Sequence, residues 1–367
     1  MHGDPVRFNR VLIRASFLIA IAFSCIGFLN GERLANQHIG VSVKKLLRQF
    51  LPPVGIQDIV LAPFVYPAAW VMRKIRWTGV DRMPHCKSAL MKVGVFPIRN
   101  HYYEPQFDYR NSQSDFSQDR TLPGINWNIS EQLAMLAKFS FAAELADLPQ
   151  EKPETLKFYV NNNTFKSGDA EYWYQLIRAI KPRRIFEVGS GNSTLMAIHA
   201  ICKNQEDDPS YQCEHICIEP YEVPWLEAAG VSVVRKKVED IERSFFSKLQ
   251  ENDILFIDSS HVIRPQGDVL FEYLELLPSL NKGVIVHIHD IFSPKNYPKE
   301  WLEDEVLFWN EQYLLEAFLS HNSSWKIIGA LNYLHHNYYE KLKSVAPFLT
   351  PEREPGSFYI QKILDLN

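Results

Sequence analysis

Residues 184–194 read RIFEVGSGNST, and this stretch decides the fold. A short run of β-branched and aromatic residues ends in an acid, two glycines spaced by one residue, and then hydroxyl residues. An apolar segment at helical spacing, Leu195 to Ile201, follows directly. The pattern predicts a strand, a tight glycine turn and the N-terminus of a helix.

Such a turn is well suited to holding a ligand. Glycines let a ligand approach the main chain closely, and the start of a helix offers unpaired N–H groups. Ser193 and Thr194 are favourable N-cap residues, and Glu187 could accept hydrogen bonds from an ammonium or a ribose hydroxyl. An acid before G-x-G suits a ligand with a positively charged amino-acid end better than a pyrophosphate.

The stretch resembles motif I of the class I S-adenosylmethionine-dependent methyltransferases, E/D-x-G-x-G. The resemblance implies that S-adenosyl-L-methionine is the cofactor. It assigns cofactor binding to six residues of the turn, namely Glu187, Gly189, Ser190, Gly191, Ser193 and Thr194.

Acids also follow the next two predicted strands. Glu219 ends the second strand, where a doubly wound fold places the carboxylate that binds ribose hydroxyls. After the third strand, the resemblance implies that Glu239 or Asp240 contacts the adenine ring. A helix-start acid with no ligand is the alternative for this pair.

His and Asp residues follow two further buried strands. The fourth strand ends at Asp258 with His261 close behind, and the fifth ends at His289 and Asp290. Ligands bind at the carboxyl ends of such strands. We therefore expect Asp258 and His261 beside the transferred methyl group, with the second pair at the same edge of the sheet.

At these two strand ends the sequence resembles one particular type within this class of methyltransferases. Phe256 to His261 resembles the I-D-x-x-H signature of the methyltransferase 24 type, and Val286 to Phe292 resembles its segment after strand five. In metal-dependent relatives this edge holds a divalent cation such as Mg²⁺, and Asp258 and Asp290 match two ligand positions. Ile291 occupies the third and cannot be a ligand, so His261, His289 or water would complete the shell.

Composition limits the class of protein. The chain has 367 residues, 46% of them hydrophobic and 22% charged, and a net charge of −4. No global basic signature indicates nucleic acid as a partner. The five cysteines fit neither a zinc site nor a disulfide framework, so we expect reduced thiols in a cytoplasmic protein.

The N-terminal region contains two apolar segments with basic flanks, Ala15 to Leu29 and Val54 to Met72. The first is short for a spanning helix, and Pro63 and Pro67 argue against a simple spanning helix in the second. Three interpretations stay open: peripheral contact of 11–76 with a membrane face, a true span, and packing on the protein.

The expected architecture is a doubly wound Rossmann-like α/β sheet with an antiparallel last strand and a mainly helical N-terminal extension. We expect the extension at 1–150 and the methyltransferase domain at 164–367. Ile129 to Leu145 is predicted as one amphipathic helix with Ser130 as its N-cap. Asn332 to Arg353, with His335 and His336, is a candidate wall of the acceptor pocket.

The predicted function is methyl transfer to a small-molecule or saccharide acceptor, at oxygen. His261 is the first choice for general base and His289 the second, with Asp290 orienting one of them. Two alternatives remain: a non-catalytic cofactor-binding module on the same fold, and a nucleotide-dependent oxidoreductase.

Overall fold

A computed structural model describes residues 53–98, 103–105, 115–221 and 223–365. The chain divides into two compact units, Met1–Phe107 and Asp108–Asn367. The predicted apolar segment at 15–29 lies outside the described residues, as do residues 11–52 of the predicted membrane contact at 11–76. The expected domain boundaries, 1–150 and 164–367, stay predictions.

The first unit is mainly helical over residues 54–93. Helix α1, Val54–Thr78, leads through a 3₁₀ turn, Val80–Arg82, to α2, Pro84–Val93. Helix α1 continues without interruption through Pro63 and Pro67, so the prolines do not divide the apolar segment. Ile75 is the buried residue of α1, and apolar side chains stand exposed around the rest of it.

The second unit is built on a seven-stranded sheet. Its strands are β1 Arg184–Val188, β2 Glu214–Ile218, β3 Ser232–Val234, β4 Ile254–Ile257, β5 Ile285–Ile288, β6 Trp325–Ala330 and β7 Phe358–Lys362. Their order across the sheet is β3-β2-β1-β4-β5-β7-β6. Strand β7 pairs antiparallel with β5 and with β6, whereas β1 to β5 pair in parallel. This confirms the predicted doubly wound sheet with an antiparallel last strand.

Helices cover both faces of this sheet. They are α3 Ile129–Lys138, α4 Asp169–Ile180, α5 Asn192–Asp207, α6 Asp268–Phe271, α7 Leu277–Ser279, α8 Lys299–Glu303, α9 Glu311–Leu319, α10 Leu331–Asn337 and α11 Tyr339–Lys343. A π-helical turn, Glu272–Leu276, joins α6 to α7. Helix α5 begins directly after the glycine turn, as the apolar spacing predicts.

Alternate residues of each central strand enter two separate cores. Ile185 of β1 and Phe256 of β4 pack with Trp173 of α4 on one face. Phe186 and Ile257 pack into the core on the other face. Each such side chain contributes about 1.5–3 kcal/mol on burial. Because both faces are buried, the strands hold the carboxyl-end loops rigidly in place.

The predicted helix from Ile129 to Leu145 is wrong in its second half. Helix α3 ends at Lys138, and a 3₁₀ turn, Ala142–Leu145, follows separately. Phe139 is extended between them, and its ring packs edge-on against Tyr172 with the ring centroids 5.0 Å apart. Burying Phe139 in the core outweighs local helix propensity at this point. The N-cap is Asn128 rather than Ser130.

Candidate functional site

Four loops meet at one edge of the sheet, because β1, β2, β4 and β5 are parallel neighbours. The glycine turn follows β1, Glu219 follows β2, Asp258 follows β4, and His289 follows β5. The tertiary structure thus brings the predicted donor and catalytic residues together at the carboxyl ends of the strands, where ligands bind in this class of fold.

Gly189 is required by the turn itself. Its φ of +75° is a left-handed conformation, and an added Cβ would lie 2.0 Å from the main-chain oxygen of Asp258. Gly191 differs, because its φ of 178° is ordinary extended backbone and an added Cβ would meet nothing within 4 Å. The space beside Gly191 is therefore open, whereas the space beside Gly189 is filled by the main chain of Asp258.

Glu187 lies beneath the turn, and it lines neither the cavity in front of the turn nor the larger cavity beside it. Its Oε1 accepts a hydrogen bond from Ser193, and its Oε2 lies 2.8 Å from Nε2 of His215. The Glu187 side chain is fully buried. Both carboxylate oxygens are thus engaged inside the protein. Thr194 likewise serves the turn, since its hydroxyl accepts a hydrogen bond from the N–H of Gly191.

A cavity of about 250 Å³ opens in front of the turn. Predicted donor residues Gly189, Glu219, Glu239 and Asp258 line it, whereas Ser190, Gly191, Ser193, Thr194 and Asp240 do not. Further residues that were not predicted as donor ligands also line this cavity, namely Pro220, Tyr221, Lys237, Ser259, Ser260, Arg264 and Asp268. Their irregular loops carry no periodic signal that would have identified them.

Glu219 is held in position at the mouth of this cavity. Its Oε1 accepts a hydrogen bond from the Tyr221 N–H at 2.8 Å, and its Oε2 accepts one from the Ser190 N–H at 3.3 Å. Each carboxylate oxygen has a second lone pair, which leaves Glu219 able to accept bonds from a bound diol.

The imidazole of His261 lies within a ring of carboxylates. Its Nε2 is 3.1 Å from Oδ1 of Asp258 and 3.6 Å from Oδ2 of Asp290. Its Nδ1 is 2.8 Å from Oε2 of Glu311, whose other oxygen accepts a hydrogen bond from the Tyr273 hydroxyl at 2.9 Å. Glu311 was not predicted, because its helix lies 50 residues further along the chain.

Charge decides the protonation of this cluster. Burial lowers the pKa of His261, but hydrogen bonds and charges from Asp258 and Glu311 outweigh burial and hold that pKa well above its ordinary value. The pKa of His289 is raised for the same reason, by Asp290 and Asp258 against burial. Burial raises the pKa of Asp258, but both imidazoles outweigh it and hold the pKa well below its usual range. The carboxylates thus favour the protonated form of the two imidazoles, and the imidazoles favour the ionised form of Asp258.

Asp290 stands between the two histidines. Its Oδ1 is 3.4 Å from Nδ1 of His289, and its Oδ2 is 3.6 Å from Nε2 of His261. Asp290 and His261 both have positive φ, 59° and 58°. Such left-handed conformations cost non-glycine residues about 1–3 kcal/mol and concentrate at functional sites. The backbone strain is consistent with a site whose side-chain directions matter more than local stability.

A second cavity of about 570 Å³ begins where the first ends. Asp258, Ser259 and Ser260 line both cavities. His261, His289 and Asp290 face the second cavity, and one wall of this cavity is aromatic. That wall consists of Phe292, Trp301 and Trp309. The rings of Trp301 and Trp309 meet edge-on with centroids 5.0 Å apart.

Asp258, His261 and Asp290 could also hold a cation. Each offers a ligand atom, and the three atoms lie within 4.8 Å of one another. Carboxylate and imidazole donors suit a divalent metal. Ile291, at the remaining family position, is buried and apolar. The residues thus supply two of the predicted carboxylate ligands and one nitrogen, but no ligand at the third position.

Comparisons with known proteins point to one family. Residues 186–291 match the family model of the methyltransferase 24 type, described as a methyltransferase domain. An uncharacterised protein of Archaeoglobus fulgidus is 31% identical over 173 residues, which make up 44% of this chain and 76% of that protein. The segment that the family model matches begins within β1 and ends at Ile291, shortly after β5.

Solved structures resemble the chain only distantly. The plantazolicin methyltransferase BpumL, solved with a triazolic desmethylPZN analog and SAH, is 13% identical at a TM-score of 0.32 and covers 54% of this chain and 84% of its own. LepI, solved with SAM, is 12% identical at a TM-score of 0.32 and covers 96% of this chain and 100% of its own. Neither likeness identifies the acceptor of this chain.

Proposed function

Because this chain is a class I S-adenosylmethionine-dependent methyltransferase, we propose that it methylates an oxygen atom of a saccharide acceptor. When bound, S-adenosylmethionine supplies a methyl group already activated by its sulfonium. The observation that carries the proposal is the wall of Asp258, Ser259 and Ser260, which is shared by the two cavities. A donor in the first cavity and an acceptor in the second would meet at this wall, and such positioning is a large part of catalysis.

The proposed donor site uses the glycine turn and the acids of the first cavity. Gly189 and Gly191 admit the donor close to the main chain, and Glu219 accepts hydrogen bonds from the ribose hydroxyls. Glu239 faces the same cavity from beyond β3. We assign Glu187 a positioning role, since it holds Ser193 and His215 under the turn.

We assign removal of the acceptor proton to His261. Its Nε2 faces the second cavity beside Asp258 and Asp290, and Glu311 fixes the ring from behind. His289 is the second candidate for this base. Asp290 is the orienting residue, because its two oxygens face the two imidazoles. A divalent cation at Asp258 and Asp290 would instead supply a Lewis acid beside the acceptor hydroxyl.

The second cavity favours a sugar over a flat apolar ring. Trp301 and Trp309 offer aromatic surface on which the C–H groups of a sugar can pack. Carboxylates face the same space from Asp290 and Glu300, and cationic groups face it from Lys166 and Arg353. Such a mixture of aromatic and hydrogen-bonding groups suits a molecule with many hydroxyls.

A methyl-transfer screen tests this proposal. Full-length protein is incubated with donor carrying a labelled methyl group and with separate pools of neutral sugars, acidic sugars and phenols. We expect label in a sugar pool as a base-stable ether. Trp301→Ala should raise the acceptor KM about tenfold, since an aromatic contact contributes about 1 kcal/mol or more, and should leave donor affinity unchanged.

Other outcomes of the screen would select among the alternatives. Label in the phenol pool alone would replace the saccharide with a phenolic acceptor. Donor binding without label in any pool would support the non-catalytic binding module. The family match already removes the nucleotide-dependent oxidoreductase as an alternative.

We further propose that α1 contacts a lipid membrane. Its 25 residues contain an 18-residue window of mean hydropathy 1.4 that is not buried in the protein. At about 1.5 Å per residue the helix is roughly 38 Å long, enough to match a hydrocarbon core of about 30 Å. Trp70 and Trp77 are exposed near one end, close to Arg73 and Lys74, as in membrane-interface anchors.

Vesicle flotation tests this contact. Full-length protein should float with vesicles of phosphatidylcholine and phosphatidylserine, and Phe64→Glu with Trp70→Glu should reduce the floating fraction at least tenfold, because charge is expensive in hydrocarbon. Leu274→Glu is the matched control, since Leu274 is 60% exposed and Trp70 is 65% exposed. Equal flotation of the control and the double variant, or none by the parent protein, would contradict the proposal.

A further inference from the structure

A cluster that the proposed methyl transfer does not use combines two histidines and a carboxylate. His335 and His336 are adjacent on α10, and Glu354 lies in the segment that leads to β7. Each offers one ligand atom, and these atoms lie within 4.8 Å of one another. We propose that His335, His336 and Glu354 bind a zinc ion.

The hydrogen bonding of His335 identifies its free ligand atom. Its Nε2 lies 3.2 Å from the carbonyl oxygen of Pro351. A carbonyl can only accept, so Nε2 carries the proton and Nδ1 holds a lone pair. His335 is 4% exposed, and its Nδ1 is buried without a hydrogen-bond partner. A buried lone pair with no donor has the form of a metal ligand whose other nitrogen is fixed by a backbone carbonyl.

The other two ligands already face each other. The Nε2 of His336 is 2.8 Å from Oε2 of Glu354, and that oxygen also accepts a hydrogen bond from Nδ2 of Asn332 at 2.7 Å. Asn332 is 1% exposed, so it holds the carboxylate in a fixed direction. Hydrogen bonds of this kind orient the carboxylate ligands of metal sites. His336 and Glu354 are exposed, which gives an ion access from solvent.

The ligand set selects the ion and its role. Two imidazoles and one carboxylate suit Zn²⁺, which accepts three protein ligands with water as the fourth. The ion would join α10 to residues 351–354, and residues 352–354 line the second cavity. The proposed zinc therefore stabilises one wall of that cavity and takes no part in methyl transfer itself.

Metal content and thermal stability test the site. Full-length protein is treated with chelator, dialysed, and titrated with zinc, and bound zinc is measured by mass spectrometry. We expect one equivalent of zinc at the site and a rise in Tm of roughly 5 °C at saturating zinc. His336→Ala and Glu354→Gln should each lose this equivalent and the rise in Tm. His321→Ala removes another exposed histidine and should keep both.

Asp258→Asn separates this site from the cluster at the sheet edge, and it should keep the zinc equivalent and the rise in Tm. Circular dichroism of each variant shows whether it has folded, and the exposed positions of His336 and Glu354 make loss of folding unexpected. The proposal is overturned if His336→Ala and Glu354→Gln retain the equivalent. It is equally overturned if Asp258→Asn alone loses it, or if the parent protein binds none.

Discussion

Gly191→Val should abolish donor binding while the protein stays folded. The φ of Gly191 suits any residue, and its missing Cβ meets nothing within 4 Å, so valine fits the free protein. Gly191 does not line the first cavity, so the proposal requires the donor to extend past Gly189 along the turn, where a branched side chain would block it. We expect at least a 100-fold loss of affinity for S-adenosylhomocysteine, or about 2.7 kcal/mol, by titration calorimetry.

Two further glycine variants make this result specific. Gly55→Val adds the same side chain where a Cβ again meets nothing within 4 Å, and it should bind the donor normally. Gly189→Ala should lower Tm instead, because its Cβ would lie 2.0 Å from the Asp258 carbonyl oxygen. Normal affinity in Gly191→Val would mean that the donor does not use this turn.

His261→Ala should reduce kcat by about 10²–10⁴-fold, the usual contribution of a positioned general base. Donor affinity should change little, since His261 lines the second cavity and not the first. Alanine leaves the buried Glu311 carboxylate without its imidazole partner. His261→Gln is therefore measured as well, because its amide can still donate to Glu311, and it should lose the same activity in a folded protein.

His289→Ala is the matched control, with a second buried imidazole removed from the same edge of the sheet. It should retain far more activity than His261→Ala. If His289→Ala alone abolishes turnover, the two roles are exchanged. If chelator removes activity from the parent and also from His336→Ala, a metal at Asp258 and Asp290 is required, and His261 is not acting as the base alone.

The pH profile carries an independent test of His261. From the sequence alone, the rate would rise through about 6.5, the ordinary imidazole pKa. In the structure, Asp258 and Glu311 raise the pKa of His261, so the neutral base appears only at higher pH. The rate should rise with pH along a limb well above 6.5. Asp258→Asn removes one carboxylate that raises this pKa, so the limb should move to lower pH.

A limb that does not move in Asp258→Asn would show that another group controls the rate. A rate that falls as the pH rises would show that the imidazolium itself is the active form. Each result is read from kcat at saturating donor and acceptor, so that changes in binding do not enter the profile.

The local pattern of the sequence was enough to predict the sheet and its edge. Short apolar runs became β1, β4 and β5, and a glycine turn or polar residues follow each of them. Such a pattern can be recognised from residues only a few positions apart in the sequence. Parallel strands bring their carboxyl ends together. Asp258, His261, His289 and Asp290 could therefore be grouped before any contact was known.

The direction of Glu187 required the tertiary structure. Side chains alternate along β1, so Glu187 points away from the face of Phe186 and Val188. Helices cover both faces of the sheet, however, and the sequence does not predict which buried group contacts Glu187 on either face. The pairing of β1 with β2 brings His215 to Glu187, and the buried carboxylate lies between His215 and Ser193.

The partners of the catalytic histidine and the acceptor wall also depended on long-range packing. Glu311, Trp301 and Trp309 come from the segment after β5, and neither period nor motif distinguishes them from other acids and aromatics. The same holds for Glu354 beside His335 and His336. A sequence pattern predicts which residues share a strand or a helix. A site, in contrast, forms where separate elements pack against one another. Which elements meet is determined by the free energy of packing the whole core.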